Sequence, residues 1–374
     1  PSLGSWGSSA AGTFVRVGLP QRPGRIRGDW GLIEEARSRR NPCRSIRGLA
    51  GMTPARAGLG RSTTNAMDGD VPPLLPTPDM ITIENPQVRV VVDPTHGGRI
   101  DSIRTPDDAK DWIYASSDAG AQASPTGTDY DDLWAGGFEE LFPSDAPGMF
   151  EGRALPDHGE LWNSQLEVRD QDDLSVDMVL HCRSVPARFE KRISIEPDSA
   201  RVSIAYGISN LGDQPLHYLF KLHAAMRVAG GDELLLPGGN VTRVSAEFSR
   251  LMGAPDGAEW PIVAGVGDEP TDLSIVPERS ADGQEFVYVS GLPAGWCGLR
   301  RPSEGRQFVM RYSLDDFPHC WLFMALGGWR DHYTVVLEPC TNIPKDLAAA
   351  KRAGTCAVLS PGASRSYSVS IDIS

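Results

Sequence analysis

From Ile81 to the end of the chain, short runs of alternating apolar and polar residues are separated by Gly, Pro, Asn and Asp. That pattern belongs to strands joined by turns. Ile81-Thr82-Ile83 and Val88-Arg89-Val90-Val91-Val92 read as a first hairpin turning at Asn85-Pro86, and Arg99–Ile103, behind Gly97-Gly98, reads as a third strand. Gln165–Arg169 and Ser175–Leu180 flank an acidic turn at Asp170–Asp173; Phe189–Ile195 and Val202–Tyr206 flank Pro197-Asp198-Ser199. Both pairs alternate as a sheet with one wet face does. Further strands are predicted near 216–222, 285–290, 307–313, 319–325, 333–338 and 365–373. One helix is predicted, over Lys345–Ala353, with Pro344 before it and Gly354 after it as punctuation. The expectation for residues 78–374 is an all-β domain, a large antiparallel β-sandwich with one short C-terminal helix.

Residues 1–77 break the pattern. They are rich in Arg, Gly, Ser and Pro and show no sustained period of 2 or 3.6. Such a segment buries too little apolar area to offset the entropy of ordering it. It is read as a disordered or mis-extended leader, with Met52, Met67 and Met80 as candidate starts and Val71–Pro76 as a stiff linker; an organelle-targeting peptide is the alternative. Charge divides at the same place. Residues 1–66 hold eleven arginines, no lysine and three acids, a balance of +8, against 25 basic and 46 acidic residues, −21, in the remainder. An acidic main domain repels nucleic acid and anionic membrane, so neither is an expected partner. No run of 18 apolar residues exists to cross a bilayer. Six cysteines form no C-x-x-C pair, several lie within apolar runs, and they are read as reduced thiols of a cytoplasmic protein.

Nucleotide fingerprints, zinc motifs and the G-x-S-x-G elbow are all absent, so no cofactor or metal is expected. What remains is a set of histidines and acids at apparent strand ends. His158 lies in Pro156-Asp157-His158-Gly159-Glu160-Leu161-Trp162, His223 ends the run Tyr218–Leu222, and Glu338 ends Tyr333–Leu337, where Pro339 is expected to stop the strand. A carboxylate behind an apolar strand needs a reason, because burying an unpaired charge is costly. The ordinary alternative is that Glu338 marks the strand's exit to water.

In order and spacing these three segments resemble the landmarks of the aldose 1-epimerase family, with its galactose mutarotase-like supersandwich: a His-Gly, a second His ending a central strand, and a Glu-Pro near the C-terminus. Leu337–Asn342 with the helix and Leu359–Ser364 behind it, and Pro94 through Gly97-Gly98-Arg99-Ile100, resemble the family's ending and start. The likeness spans nearly all of 80–374. Two places depart from it: Ala224-Ala225-Met226 follows His223 where the family has Pro-Tyr-Phe-Asn, and Glu160-Leu161-Trp162 follows Gly159 where the family has Phe-x-Arg.

The resemblance implies a cofactor-free isomerase that interconverts the anomers of a small-molecule sugar. It would use Glu338 as base and His223 as acid, with His158 bonded to the ring oxygen or a neighbouring hydroxyl. Arg153, Asp157, Lys221 and Trp162 are the candidate substrate contacts. Trp162 is the preferred aromatic platform, with Trp134, Phe138, Trp321 and Trp329 as alternatives. His96, His181, His217, His319 and His332 are read as structural or surface residues. A monomer or weak homodimer is expected. Two other readings stand beside this one: a non-catalytic carbohydrate-binding protein, and a sugar-phosphate mutarotase whose phosphate would need bases such as Lys221, Arg227 and Arg153. The catalytic reading requires Glu338 and His223 to face each other across one cleft, within about 5–8 Å.

Overall fold

The computed structural model describes residues 80–115, 129–253 and 257–374. The leader and linker expected over 1–77 lie outside the described residues. Two large antiparallel sheets dominate. The first has ten strands, in the spatial order Ile81–Glu84, Arg89–Asp93, Arg99–Arg104, Phe138–Leu141, Lys221–Arg227, Tyr333–Cys340, His319–Leu326, Gly283–Ser290, Asn240–Arg243 and Ala258–Glu259. The second has eight: Glu233–Leu235, Trp296–Arg301, Arg306–Tyr312, Ser364–Ile373, Val202–Asn210, Ala187–Ile195, Ser175–His181 and Glu167–Gln171. One hydrophobic core draws on both, with Phe220 packing on Tyr206 and Tyr367, and Trp112 on Phe308.

The eight-stranded sheet follows the alternation in the sequence. Along Ala187–Ile195 every second residue is buried, while Arg188, Glu190, Arg192 and Ser194 lie on the wet side. Lys191 departs from the expectation that the polar residues of this hairpin face water. It occupies the buried row between Phe189 and Ile193 and is 1% exposed. Its ammonium donates to Glu140 at 2.7 Å and to the Gly98 carbonyl at 2.8 Å, and the Tyr206 hydroxyl donates to Glu140 at 2.7 Å. A buried charge is tolerated when it is paired and fully hydrogen-bonded.

The central strands of the ten-stranded sheet are buried on both faces. One face meets the second sheet; the other lies under a smaller aromatic cluster of Tyr130, Trp134, Ala225 and Val336, with Trp162, Phe323 and Trp329 against it. Sequence alternation cannot reveal such strands, and several expectations change. The strand predicted at 216–222 is two strands in different sheets, Leu216–Tyr218 and Lys221–Arg227. His223 therefore lies within a strand, not at its end. The strand holding Glu338 does not stop at Pro339 but runs to Cys340; its register with Lys221–Arg227 lapses between Lys221↔Cys340 and Ala224↔Leu337, opposite a proline that has no N–H to give. The C-terminal helix spans Leu347–Ala353, capped by Asp346, whose side chain accepts from the Ala349 N–H, and closed by Gly354 at φ 72°. A second, four-residue helix, Tyr130–Leu133, was not expected.

Candidate functional site

The site forms where three strands from distant parts of the chain lie side by side. Glu139 is paired with His223 across one ladder, and Trp321 with Glu338 across another. His223 and Glu338 stand opposite each other where the intervening ladder lapses. Residues directly opposite in an antiparallel sheet project from the same face. Glu139, His223, Glu338 and Trp321 thus form one row on the face away from the second sheet, and Lys221, two residues before His223, joins that face. Glu140, the next residue after Glu139, points the other way and meets Lys191 in the core.

The row is closely paired. Lys221 Nζ lies 2.5 Å from Glu338 Oε2 and 2.6 Å from Asp145 Oδ2, and 4.3 Å above the Trp321 ring. His223 Nε2 lies 3.9 Å from Glu338 Oε1, and Nδ1 lies 3.4 Å from both Glu139 Oε1 and the Tyr130 hydroxyl. That hydroxyl also donates to Glu139. Lys221, Glu338, Asp145, Glu139 and His223 are each no more than 4% exposed. Burial works against the charge on Lys221, but Asp145 and Glu338 overcome it and hold the ammonium pKa above its ordinary value. Burial likewise raises the Asp145 and Glu139 carboxyls; Lys221 reverses this for Asp145 and His223 for Glu139, leaving both below the ordinary range.

The cover is built by two loop segments. Tyr130 stacks on the His158 ring at 3.8 Å, and its N–H donates to Asp157 Oδ2 at 3.1 Å. Asp157 Oδ1 accepts from His158 Nδ1 at 2.9 Å, so Asp157 orients His158 from behind. The backbone at His158 and Gly159 is left-handed, at φ 55° and 70°, and a Cβ on Gly159 would sit 2.3 Å from the Phe142 carbonyl oxygen. Only glycine lets the chain pass there. The result is a small, partly open cavity above the row of buried charges. His158, His223, Glu338, Lys221, Asp145 and Asp131 supply its polar groups; Tyr130, Trp134, Phe248, Phe286, Phe323 and Trp329 supply its rings, and Lys345 completes the wall.

Of the sequence candidates, Glu338, His223, His158 and Lys221 line this one cavity, and Asp157 stands directly behind His158. The Glu338–His223 separation is shorter than the window set from sequence. Two candidates fall elsewhere. Trp162 lies behind Tyr130, edge-on at 5.1 Å, with its indole N–H given to the Asp157 carbonyl, so it braces the loop outside the cavity. Arg153 is exposed on the hairpin strand Arg153–Leu155 and does not line the cavity. Phe138 belongs to the main core and Trp321 lies beneath Lys221, fully buried, so neither offers a face to a ligand; Trp134 and Trp329 do line the cavity. Sequence reasoning missed Tyr130, Glu139 and Asp145. The available signal for Glu139 was a pair of acids inside the apolar run Phe138-Glu139-Glu140-Leu141-Phe142. Among the described residues no cluster of His, Cys, Asp and Glu has the makings of a metal site, and no helix is long and apolar enough to cross a membrane.

No protein-family model matches the chain, and no curated protein matches its sequence. Solved structures do match. The Slr1438 protein from Synechocystis sp. PCC 6803 superimposes with a TM-score of 0.60 at 16% identity, covering 82% of this chain and 99% of its own. A galactose mutarotase-like protein from Lactobacillus casei ATCC 334 gives 0.54 at 17%, covering 79% and 100%. An Escherichia coli K12 protein described as a candidate aldose 1-epimerase gives 0.59 at 15%, covering 79% and 98%. The fold is that of the galactose mutarotase-like proteins. Its sandwich accounts for the two sheets, and its ten-stranded sheet carries the row of Glu139, His223 and Glu338 at the floor of the cavity.

Proposed function

We propose that this chain is a divergent aldose 1-epimerase-like isomerase that interconverts sugar anomers by acid–base ring opening. The observation that carries the reading is the placement of His223 Nε2 and Glu338 Oε1, 3.9 Å apart and both open to one cavity, with Lys221 behind Glu338 and Glu139 behind His223. The anomeric hydroxyl and the ring oxygen of a sugar are bonded to the same carbon. A base and an acid that serve them must therefore lie within a few ångströms of each other, as these atoms do.

Glu338, paired with Lys221, takes the proton of the anomeric hydroxyl. The carbon–oxygen double bond forms at C1 as the bond from C1 to the ring oxygen breaks, and that oxygen receives the proton of His223 Nε2. Glu139 accepts from Nδ1 on the far side of the imidazole and so aims Nε2 into the cavity. His158, held by Asp157 and stacked under Tyr130, bonds the ring oxygen or a neighbouring hydroxyl. Rotation about the C1–C2 bond and the reverse proton transfers close the ring on its other face. The free thiols of Cys182, Cys297, Cys320, Cys340 and Cys356 fit a reducing, cytoplasmic setting. A sugar phosphate is the poorer substrate on this reading: Lys221 is already neutralised by two carboxylates, and Arg153 is not at the cavity.

Anomer exchange measured by NMR or polarimetry over a panel of sugars tests the proposal. The wild type is expected to accelerate exchange of at least one sugar, and Glu338→Gln to lose roughly 10²–10⁴-fold of that rate. A wild-type rate equal to the uncatalysed rate for every sugar would instead support the non-catalytic binding protein.

A further inference from the structure

Among the described residues of the cavity wall, Lys345 is the one cationic group that the ring-opening chemistry leaves unused. It immediately precedes Asp346, the cap of the C-terminal helix, and its backbone N–H donates to the Tyr288 hydroxyl at 3.1 Å. The base of its side chain is thereby tied to the strand that also carries Phe286. Its ammonium lies 5.9 Å from the Phe248 ring centroid, on the side of the cavity walled by Phe248, Phe286 and Phe323. The other lysine of the cavity, Lys221, is held by Asp145 and Glu338. Lys345 has no such partner: among the described residues no carboxylate lies within 4.0 Å of its ammonium. The two lysines thus differ in kind. One is buried and bonded to two carboxylates; the other is half-buried against an aromatic wall and reaches Asp145 only through a longer-range attraction.

We propose that Lys345 selects a sugar bearing a carboxylate, a hexuronate, over the matching neutral hexose and over a hexose phosphate; the inference rests on the ring-opening reading of the same cavity. An ammonium set among rings sits in a lower effective dielectric than bulk water, so an anion gains more there than a hydroxyl does. The magnitude of charge argues for a monoanion. A phosphate ester carries about −1.5 to −2 near neutral pH and would share the cavity with Asp131, Asp145 and Glu338, with no second cation clear of a carboxylate contact among the described wall residues to balance it. A carboxylate brings one charge to one ammonium.

The test compares anomer exchange by NMR for glucuronate, galacturonate, glucose, galactose and glucose 6-phosphate, using the full chain and its Lys345→Gln and Lys345→Arg variants. The expected result is a kcat/KM for at least one hexuronate on the order of tenfold above that of its neutral counterpart. Lys345→Gln should bring that ratio close to one, and Lys345→Arg should preserve most of it. Equal kcat/KM for the paired sugars, a higher value for the phosphate, or an equal loss for both sugars in Lys345→Gln would overturn the proposal. Should Lys345→Gln fail to fold, added salt decides the matter in the wild type, since a preference that salt does not weaken is not electrostatic. If no sugar exchanges faster than in buffer, the ring-opening reading falls on its own. Calorimetry with glucuronate and galacturonate then judges Lys345 separately: binding weakened in Lys345→Gln upholds charge selection, and no binding overturns it.

Discussion

Replacing Lys221 with Met probes the centre of the site, because the side chain stays apolar and of similar length while the charge between Asp145 and Glu338 disappears. At N···O separations of 2.6 and 2.5 Å, an effective dielectric of about 20 gives a gross attraction of about 6 kcal/mol for each pair. Most of this offsets the desolvation of three ions, which costs several kcal/mol apiece. The loss on removing one partner is therefore well below the gross sum. Breaking a buried pair typically costs about 3–5 kcal/mol, since the remaining carboxylates stay buried without a counter-charge. For a domain of roughly 300 residues this corresponds to a fall in Tm of roughly 5–8 °C. The pH dependence separates this cause from lost packing. The lowered Asp145 pKa contributes stability that is full above the ordinary carboxylate value of about 4 and is lost as pH falls through the lowered value; the raised Lys221 pKa contributes stability that is full below about 10 and is lost as pH rises through the raised value. Urea unfolding of wild type and Lys221→Met across pH should show the widest gap between about pH 5 and 9, narrowing in acid. A gap under about 1 kcal/mol at neutral pH, or one that does not change with pH, would refute the reasoning.

Three further outcomes are expected. Tyr130→Phe removes the hydroxyl shared by Glu139 and His223 Nδ1 while keeping the ring on His158; anomer exchange should slow on the order of tenfold, about 1.4 kcal/mol, with an unchanged circular dichroism spectrum, and an unaltered rate would mean the hydroxyl does not orient His223. Lys191→Met alone should destabilise by about 3–5 kcal/mol because Glu140 stays buried, whereas Lys191→Met with Glu140→Leu should recover most of the loss in denaturant unfolding. Asp93 is pulled down to about 2 from its ordinary 3.8: burial opposes the charge, but hydrogen bonds from His96 and Thr95 prevail. Its contribution is full well above pH 3.8 and is lost as pH falls through about 2, so Asp93→Asn should be less stable than wild type at neutral pH, with the gap closing below pH 2.

The alternating strands of the eight-stranded sheet were legible because one face is wet and the other dry, and a period of two records that difference directly. The C-terminal helix was legible too, although its start moved from Lys345 to Leu347, behind the cap at Asp346, where a side-chain oxygen meets a free N–H group. The landmark residues His158, His223 and Glu338 stood out by their order along the chain. Their meeting in one cavity did not, because it depends on strand order: Phe138–Leu141, Lys221–Arg227 and Tyr333–Cys340 are neighbours in the sheet and about a hundred residues apart in the chain. Register then decided which groups share a face. It turned Glu139 towards His223 and Glu140 towards Lys191, giving adjacent, identical residues unlike partners. Tyr130 could not be foreseen at all, since a four-residue helix leaves no periodic trace and its value lies wholly in what it touches. The sequence by itself determined the hairpins with one wet face, the apolar side of each and the identity of the chemical groups. Tertiary structure alone decided which charges are paired at contact, as Lys221 is, and which have no carboxylate that close, as Lys345 has not, because pairing is a property of distance across the fold rather than of position along the chain.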